Sequence, residues 1–424
     1  MTKVLVTDGD QRPALAIVRA LGRRGLTVFS GADTARCLAS ASKYSTRPLV
    51  YPSAARDPDR FVDFLLDVID RERIDVLLPV ADDSTRAICR RQDEVARHCA
   101  IAVPPADAFE IAADKSRIAQ AAIRAGIPVP PTQFVADGSA LPMVLGALEY
   151  PVVVKPFRSR LDIDGTCEHA GVHYATDERA LRELYARVRY LAHYPSLIQQ
   201  RIVGPGIGMF VLFDRGRLVA EFAHRRLREK PPAGGVSVLR ESIPVDPVLR
   251  EHAIRLLQPL GWHGVAMVEF KQDSRTGVRY LMEVNGRFWG SLQLAVDAGI
   301  DFPWLACELA QGRALSRPPE YTTGVRSRWL LGDLDQLLLR LCRSARALDL
   351  PPGMPSRTRA FAQFATTAGP DVHLEIESVD DPGPFRFELG QYAGGLWNGA
   401  IRRLRRRTRL PHRPGQGCPA VPAA

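Results

Sequence analysis

The sequence predicts an α/β N-terminal domain with a Rossmann-like parallel sheet, followed by an α+β domain rich in antiparallel strands. Three observations support this fold class. The chain opens with a strand, a loop and a helix over residues 3–24. A continuous apolar run at residues 74–80 is typical of a buried parallel strand. Beyond Pro131, short strand signals alternate with loops and helices become fewer, which is the pattern of an α+β domain.

The N-terminal elements follow one another as strand, helix and strand. Residues 3–7 predict the first strand, and residues 13–24 predict a helix with Pro13 at its start and Gly25 just beyond its end. Residues 26–29 predict the next strand. The loop after the first strand lacks a G-x-G-x-x-G pattern, so we expect no tightly bound dinucleotide there.

The second region is connected to the first by a predicted helix over residues 112–126, which Gly126 and Pro128 end. Its strand signals lie at residues 150–155, 197–203, 209–213, 218–224, 265–271 and 279–284. A further apolar helix is predicted over residues 333–350, and the signals from there to residue 397 are weak.

Composition places the chain among ordinary globular proteins. Of its 424 residues, 46% are hydrophobic and 25% are charged. No apolar stretch has the length of a secretory core or of a spanning helix, so a soluble, cytoplasmic protein is expected. The seven cysteines form no C-x-x-C pair, which argues against a zinc site or a disulfide framework and favours small buried hydrophobic residues.

The net charge of +10 is concentrated near the C-terminus, where six arginines fall between Arg402 and Arg409. Without them the net charge would be +4, and no nucleic-acid partner is expected. A charged, frayed helix is one interpretation of this tail. A membrane-surface helix is the other, because Leu396, Trp397, Ile401 and Leu404 lie nearby.

The chemistry is predicted by polar residues on one strand. Because side chains alternate along a strand, Glu283, Asn285 and Arg287 project from one face. If residues 272–278 form the loop of a hairpin, Glu269 lies beside Glu283. Two carboxylates and an amide oxygen are hard ligands that suit Mg²⁺. Taken alone, the same triplet could be an ordinary salt-bridged strand.

A lysine at the end of an apolar strand favours the functional interpretation. Residues 151–154 are apolar, and Lys155 follows them directly. A lysine in a largely buried setting needs an anion to offset its charge. Together with the two glutamates, it predicts a site for phosphates and a metal ion.

These motifs resemble those of the ATP-grasp superfamily. The chain looks most similar to carboligases, or carboxylate-amine ligases, related to the carbamoyl-phosphate synthase large subunit and biotin carboxylase. The resemblance covers roughly residues 1–312. Its motifs occur in the family's order, namely Asp114-Lys115, Val154-Lys155-Pro156, residues 197–204, Val268-Glu269-Phe270 and residues 283–287.

The sequence pattern and the resemblance together predict a division of the chain into four parts. Residues 1–111 would form a Rossmann-like pre-ATP-grasp domain, and residues 112–312 the ATP-grasp domain, with a flexible lid at about 132–203. Residues 313–400 would be a C-terminal helical or mixed extension. Residues 401–424 would be a basic, disordered tail.

The resemblance also implies residue roles. Lys115 and Lys155 would contact the phosphates of ATP. Gln199, Gln200, Arg201 and Ile202 would form the hinge at the adenine, with backbone groups of Gln200 and Ile202 meeting the base edge. Glu269, Glu283 and Asn285 would hold Mg²⁺ or Mn²⁺. Arg287 would bind the acyl-phosphate. Gln199-Gln200 departs from the acidic residue that often opens this hinge, and no ribose-binding acid is evident.

A basic segment, residues 224–230, precedes Gly234-Gly235. Similar segments occur in carboligase-like members of the superfamily, and Arg225 is the candidate for stabilising the phosphorylated substrate. A solvated strand and turn is the alternative.

The implied reaction has two steps. A carboxylate takes the γ-phosphoryl group of ATP, and an amine or a similar nucleophile then displaces phosphate. The small-molecule carboxylate and amine are not identified by the sequence, and a homodimer is left open. The alternatives are an ATP-grasp phosphotransferase, a carbamoyl-phosphate-synthase-like enzyme, and a non-catalytic ATP-binding scaffold with a basic membrane-surface tail.

Overall fold

The computed structural model describes residues 1–158, 160–163, 166–315, 320–351 and 353–408. The prediction of a disordered basic tail is wrong for residues 401–408, which belong to a helix. The part of that tail beyond residue 408 lies outside the described residues. Within the described residues, no helix combines the length and the apolar character needed to cross a bilayer.

The first sheet is parallel and has five strands. The strands are β1 (Lys3–Val6), β2 (Thr27–Ala32), β3 (Ser45–Val50), β4 (Val76–Leu78) and β5 (Ala100–Ile101). They are arranged in the order β3-β2-β1-β4-β5, with every neighbouring pair parallel. This doubly wound order confirms the Rossmann-like prediction.

Helices cover both faces of this sheet. They are α1 (Arg12–Arg23), α2 (Pro58–Glu72), α3 (Asp82–Arg90), α4 (Gln92–Val95) and α5 (Ala106–Ala113), with a 3₁₀ turn at Ala39–Ala41. Val4 and Val6 pack in one apolar cluster with α1. Leu5, which alternates with them, packs in another cluster with α2 and α3. The period of two along β1 thus directs its side chains to two separate cores.

The predicted helix over residues 112–126 is confirmed, but it begins three residues later, because residues 112 and 113 belong to α5. The chain breaks at Asp114, between α5 and α6 (Lys115–Arg124). The Asp114 carboxylate accepts hydrogen bonds from the backbone N–H groups of Ser116 and Arg117 at 2.9 and 3.1 Å. This cap starts a new helix whose first residue is Lys115.

A second, smaller sheet follows α6. Its part of the chain contains β6 (Thr132–Val135), α7 (Leu141–Val144), β7 (Val152–Pro156), β8 (Arg160–Ile163), β9 (Thr166–His169), β10 (His173–Ala175), α8 (Glu178–Arg187), α9 (Arg189–His193) and β11 (Ser196–Gln200), with 3₁₀ turns at Gly138–Ala140 and Leu145–Ala147. Four strands form an antiparallel sheet in the order β10-β7-β11-β6. Strands β8 and β9 form a separate hairpin. We call the four-stranded sheet the lid sheet.

The largest sheet has seven strands. They are β12 (Gly206–Asp214), β13 (Arg217–Lys230), β14 (Val236–Ile243), β15 (Gly264–Gln272), β16 (Arg279–Asn285), β17 (Arg326–Arg328) and β18 (Val372–Leu374). Their order is β16-β15-β12-β13-β14-β17-β18. All pairs are antiparallel except β17 with β18. The predicted α+β character is confirmed, and the loop between β15 and β16 occupies the predicted hairpin position.

The remaining helices are α10 (Pro247–Leu257), α11 (Leu292–Asp297), α12 (Phe302–Ala310), α13 (Leu330–Cys342), α14 (Arg357–Thr366) and α15 (Gly383–Thr408), with 3₁₀ turns at Gln258–Leu260 and Arg346–Leu348. Helix α13 begins three residues before the predicted start at 333 and ends at Cys342 rather than at 350. The 3₁₀ turn at Arg346–Leu348 lies within the remaining predicted residues, 343–350. The apolar pattern alone therefore did not locate the end of the helix.

The large sheet and the first sheet share one hydrophobic core. Val4 and Val6 of β1 belong to the same buried cluster as Phe210 and Leu212 of β12, together with Trp289. The alternate residues of β12, including Met209 and Val211, belong to a second cluster on the other face of the large sheet. This shared core fixes the ends of β1 and β4 relative to the large sheet, and thereby positions the site described next.

Candidate active site

A cavity of about 560 Å³ lies where the lid sheet, the large sheet and the N-terminal sheet meet. Ten of the eleven site residues predicted from the sequence line it. They are Lys115, Lys155, Gln199, Gln200, Arg201, Ile202, Glu269, Glu283, Asn285 and Arg287. The exception is Arg225.

Two carboxylates face each other across the β15–β16 hairpin. The strand register pairs Glu269 with Glu283 directly, as the hairpin prediction required. Asn285 Nδ2 donates a hydrogen bond to Glu283 Oε1 at 3.1 Å. A bulge follows Glu269, between it and Phe270. The three polar side chains therefore form one group at the end of the hairpin.

The environment holds the pKa values of the two carboxyls apart. Burial raises the pKa of Glu269 against the attraction of Arg226, and the adjacent Glu283 raises it further. Burial also acts to raise the pKa of Glu283, but Lys115 and the hydrogen bond from Asn285 outweigh it, so that pKa lies below its ordinary value. The two carboxyls of one pair thus have pKa values that are shifted in opposite directions.

Two lysines face this pair from the lid side. Lys155 lies near the end of β7, paired in register with Leu197 of β11. Burial lowers the pKa of Lys155 to about 8, against the attraction of Glu283. Lys115 begins α6, and its backbone N–H donates to the Phe157 carbonyl oxygen at 2.9 Å, which ties α6 to the segment after β7.

Arg287 connects the hairpin to the N-terminal sheet. Its Nε lies 3.1 Å from Asp82 Oδ2, at the first residue of α3, and its Nη1 donates to the Phe288 carbonyl oxygen at 2.9 Å. Asp82 and Asp83 follow β4, at the edge where parallel sheets carry ligand sites. Gln11 and Arg12, from the loop after β1 and the start of α1, also line the cavity.

The structure corrects the prediction for Arg225. The Arg225 side chain is 51% exposed and pairs with Glu241 of β14, Nε to Oε2 at 2.8 Å, so it does not line the cavity. Arg226 does line it, with a side chain only 12% exposed. Arg226 pairs with Glu269, and its Nη1 donates to Glu229 Oε1 at 2.9 Å. Neighbouring residues of a strand face opposite sides, and the sequence alone did not tell which arginine faced inward.

For three further residues that line the cavity, the sequence predicted no individual role. His224 shares the inward face with Arg226, two residues away, and neither of its ring nitrogens has a hydrogen-bond partner. Burial lowers the pKa of His224 well below its usual range, so its ring is neutral. Glu229 and Lys271 complete the wall near Arg226. Because side chains alternate along a strand, the two-residue spacing of His224 and Arg226 could have indicated that both face the same side.

In the predicted hinge, at the end of β11, the side-chain amides bond to neighbouring protein groups. Gln199 Nε2 donates to Thr132 Oγ1 at 3.0 Å, and Gln200 Nε2 donates to Glu149 Oε2 at 2.9 Å. These contacts leave recognition of a base to backbone groups, in keeping with the role expected of Gln200 and Ile202, which stays a prediction.

The residues present suit a hard divalent cation. In the described ranges, no three His, Cys, Asp or Glu side chains converge. Two carboxylates do lie together with the Asn285 amide, whose nitrogen faces Glu283 and whose oxygen accepts from Arg287 Nη2 at 3.4 Å. If the amide turned over, two carboxylates and an amide oxygen would suit Mg²⁺ or Mn²⁺, with phosphate and water in the other positions. A cation held between Glu269 and Glu283 would offset the repulsion between the two carboxylates. Glu269 is paired with Arg226 in this structure, so a metal would share that carboxylate with the guanidinium.

Comparisons with known proteins find similarity to ATP-grasp proteins. Residues 194–332 match the family described as ATP-grasp in the biosynthetic pathway with Ter operon. An L-amino acid ligase from Bacillus licheniformis is similar in structure, with 17% identity and a TM-score of 0.55 over 73% of this chain and 74% of that one.

Two further solved structures share the fold. Biotin carboxylase from Campylobacter jejuni, in a β,γ-ATP complex, is 19% identical, with a TM-score of 0.61 over 77% of this chain and 74% of that one. N5-carboxyaminoimidazole synthetase from Staphylococcus aureus, complexed with ADP, is 14% identical, with a TM-score of 0.58 over 76% of this chain and 80% of that one. The resemblance to ATP-grasp proteins is therefore confirmed, and the fold is the ATP-grasp fold.

Proposed function

We propose that this ATP-grasp protein is an ATP-dependent ligase that activates a carboxylate as an acyl-phosphate and joins it to an amine. One observation carries the proposal. Glu269 and Glu283, paired across a hairpin, share a single cavity with Lys155, Lys115 and Arg287. A paired carboxylate site beside three cations suits a metal-bound triphosphate and the charge that moves when its last phosphoryl group is transferred.

The chain's own residues divide between two ends of the cavity. Lys115 and Lys155 hold the phosphates of ATP, and residues 199–202 receive the base. Glu269, Glu283 and Asn285 hold Mg²⁺ or Mn²⁺, which when bound supplies positive charge to the phosphate oxygens.

The proposed reaction depends on the positioning of the reacting groups more than on proton transfer by side chains. An oxygen of the substrate carboxylate attacks the γ-phosphorus, the bond to the bridging oxygen of ADP breaks, and ADP leaves. The amine nitrogen then attacks the acyl carbon, loses a proton and expels phosphate. Arg287 and Arg226 offset the charge on the transferred group, because both guanidinium groups line the cavity beside the carboxylate pair.

The end of the cavity around Arg287 suits substrates of both charges. Arg287 and Arg12 are cations there, and Asp82 and Asp83 are anions. A carboxylate would be oriented by the arginines, and an ammonium group by the aspartates. This mixed lining supports a carboxylate and an amine as the two substrates.

The experiment is a screen for ADP and phosphate release with Mg²⁺, over pairs of amino acids and small carboxylates, with mass detection of the joined product. A ligase should release ADP and phosphate in equal amounts when both substrates are present. Lys155→Ala and Glu283→Ala should each reduce the stimulated rate by at least about 100-fold. Turnover that no pair stimulates, or that survives both substitutions, would contradict the proposal. ADP formed with a stable phosphorylated product would instead identify a phosphotransferase.

A further inference from the structure

A second cavity, of about 310 Å³, adjoins the first near the hinge. One wall consists of residues 201–206 and of the end of β13. The opposite wall belongs to the C-terminal segment. It consists of Gln336 and Arg340 of α13, of Pro351, Met354 and Pro355, and of Ala360 and Gln363 of α14. The two cavities share residues of their lining, among them Arg226 and Lys271.

The lining of this second cavity is strongly basic. Its charged residues are five cations, Arg201, Arg226, Arg228, Lys271 and Arg340, and one anion, Glu229. Two of the arginines have carboxylate partners. Arg228 Nε donates to Asp333 Oδ1 at 2.7 Å, and Arg226 pairs with Glu229 and Glu269. Among the described residues, no carboxylate lies within ion-pair distance of Lys271 or Arg340.

Arg340 is the most deeply placed of these cations. The residue is 5% exposed, and its Nη2 donates to the Pro355 carbonyl oxygen. Its Nη1 is buried with no hydrogen-bond partner in the structure. Burial lowers the pKa of the guanidinium, and the nearby Arg357 acts in the same direction. A buried charged donor without a partner is costly, which points to an anion that completes the site.

The wall that carries Arg340 is fixed to the large sheet. Arg201 Nη2 donates to the Asp349 carbonyl oxygen at 2.5 Å, and Arg228 Nη1 donates to Thr367 Oγ1 at 3.1 Å. Arg328 Nη1 also donates to the Thr367 carbonyl oxygen, at 2.7 Å. These contacts hold both ends of the C-terminal wall, so the basic cavity is a built feature of the fold.

We propose that the second cavity is an anion-binding subsite, in which Arg340 and Lys271 bind a phosphate or carboxylate group of a small molecule. The apolar residues Leu227, Met354 and Pro355 line the same cavity and suit the carbon skeleton of such a ligand. The anionic group has two sources. It belongs either to the ligand that occupies the first cavity or to a separate small molecule.

The test measures binding of inorganic phosphate and of citrate to the full-length protein by calorimetry, and compares four variants. Arg340→Gln removes the unpaired cation. Ala360→Glu leaves Arg340 in place but adds a carboxylate to the cavity wall. Arg346→Gln is the matched control, because Arg346 is exposed on the same segment. Lys155→Ala perturbs only the first cavity.

Arg340→Gln and Ala360→Glu should each weaken the binding of phosphate or of citrate at least tenfold. Arg346→Gln and Lys155→Ala should leave the affinity for the same anion unchanged. If the anion is part of the ligand in the first cavity, the same two variants should instead weaken MgATP binding, with Arg346→Gln again unchanged. The proposal is overturned if neither phosphate, citrate nor MgATP distinguishes Arg340→Gln and Ala360→Glu from Arg346→Gln. Failure of the ligase screen would leave this result unaffected, because no turnover is measured.

Discussion

At the scale of single residues, two neighbouring arginines of β13 have different environments. Arg226 faces the carboxylate pair, and Arg225 faces Glu241 outside the cavity. Both are arginines in a run of basic residues, so composition does not separate them. The register of β13 with β12, which pairs Arg225 with Ile207, makes the difference.

Replacing each arginine by alanine should separate the two roles. Arg226→Ala should lower kcat/KM by about 100-fold, because the substitution removes a cation beside the transferred phosphoryl group. Arg225→Ala should change kcat/KM less than about threefold, since Arg225 makes a half-exposed surface pair. Steady-state kinetics with the substrates found by the screen measures kcat/KM, and thermal unfolding shows whether each variant is folded. Equal losses in the two variants would contradict the assignment of Arg226.

The pKa of Lys155 predicts how ATP binding depends on pH. Burial lowers this pKa to about 8, so the free protein loses the ammonium charge as the pH rises through 8. If only the charged form binds the phosphates, the Kd for MgATP should be about tenfold weaker at pH 9 than at pH 7.

Lys155→Arg supplies the control, because arginine keeps its charge over this range. Calorimetric titration with MgATP at the two pH values should show that this variant loses the dependence. A dependence of the same size in Lys155→Arg would assign the titration to another group.

At the scale of secondary-structure elements, the segment around β18 holds the N-terminal sheet to the large sheet. Glu375 follows β18 and is 3% exposed. Its Oε2 lies 2.5 Å from Arg12 Nη1, at the start of α1, and 2.5 Å from Arg240 Nη2, on β14. One carboxylate thus joins three elements, and Arg12 also lines the active-site cavity.

Glu375→Gln should destabilise the protein strongly. The change leaves the fully buried Arg240 without its anion, which typically costs about 3–5 kcal/mol. Urea unfolding measures the change. The matched control is Asp380→Asn, which removes an exposed pair with Lys43 and should have little effect. A Glu375→Gln variant as stable as the control would show that this contact does not hold the elements together.

The elements that the sequence predicts well are those whose pattern is local. The β15–β16 hairpin could be read from alternation and a turn, and it placed Glu269 beside Glu283 correctly. The start of the helix at Lys115 was predicted three residues early, because an apolar pattern does not show the hydrogen bonds that the Asp114 carboxylate accepts. The second cavity could not be predicted, since Arg201 and Arg340 are brought together only by tertiary packing.

At the scale of the whole molecule, three sheets meet at the first cavity. Lys155 comes from the lid sheet, Glu283 from the large sheet and Asp82 from the end of the N-terminal sheet. A ligand that contacts all three should therefore stabilise them jointly. The order of the motifs along the sequence predicted this convergence through the family resemblance, but not through any local pattern.

MgATP should raise the free energy of unfolding of the whole chain. At a ligand concentration of 100 times Kd, the gain should be about 2.7 kcal/mol. Lys155→Ala and Glu283→Ala should reduce the gain at the same MgATP concentration, because each removes a contact to the phosphates or the metal. Urea unfolding with and without MgATP measures it, and an undiminished gain in both variants would place the nucleotide elsewhere.

The most direct test of the proposed reaction follows an oxygen atom. The carboxylate substrate found by the screen is labelled with ¹⁸O in both oxygens, and the phosphate released during turnover is analysed by mass spectrometry. Transfer through an acyl-phosphate predicts one ¹⁸O atom in each phosphate, because the carboxylate oxygen that attacked phosphorus leaves with it. Phosphate without ¹⁸O, released while the joined product accumulates, would contradict the proposed mechanism.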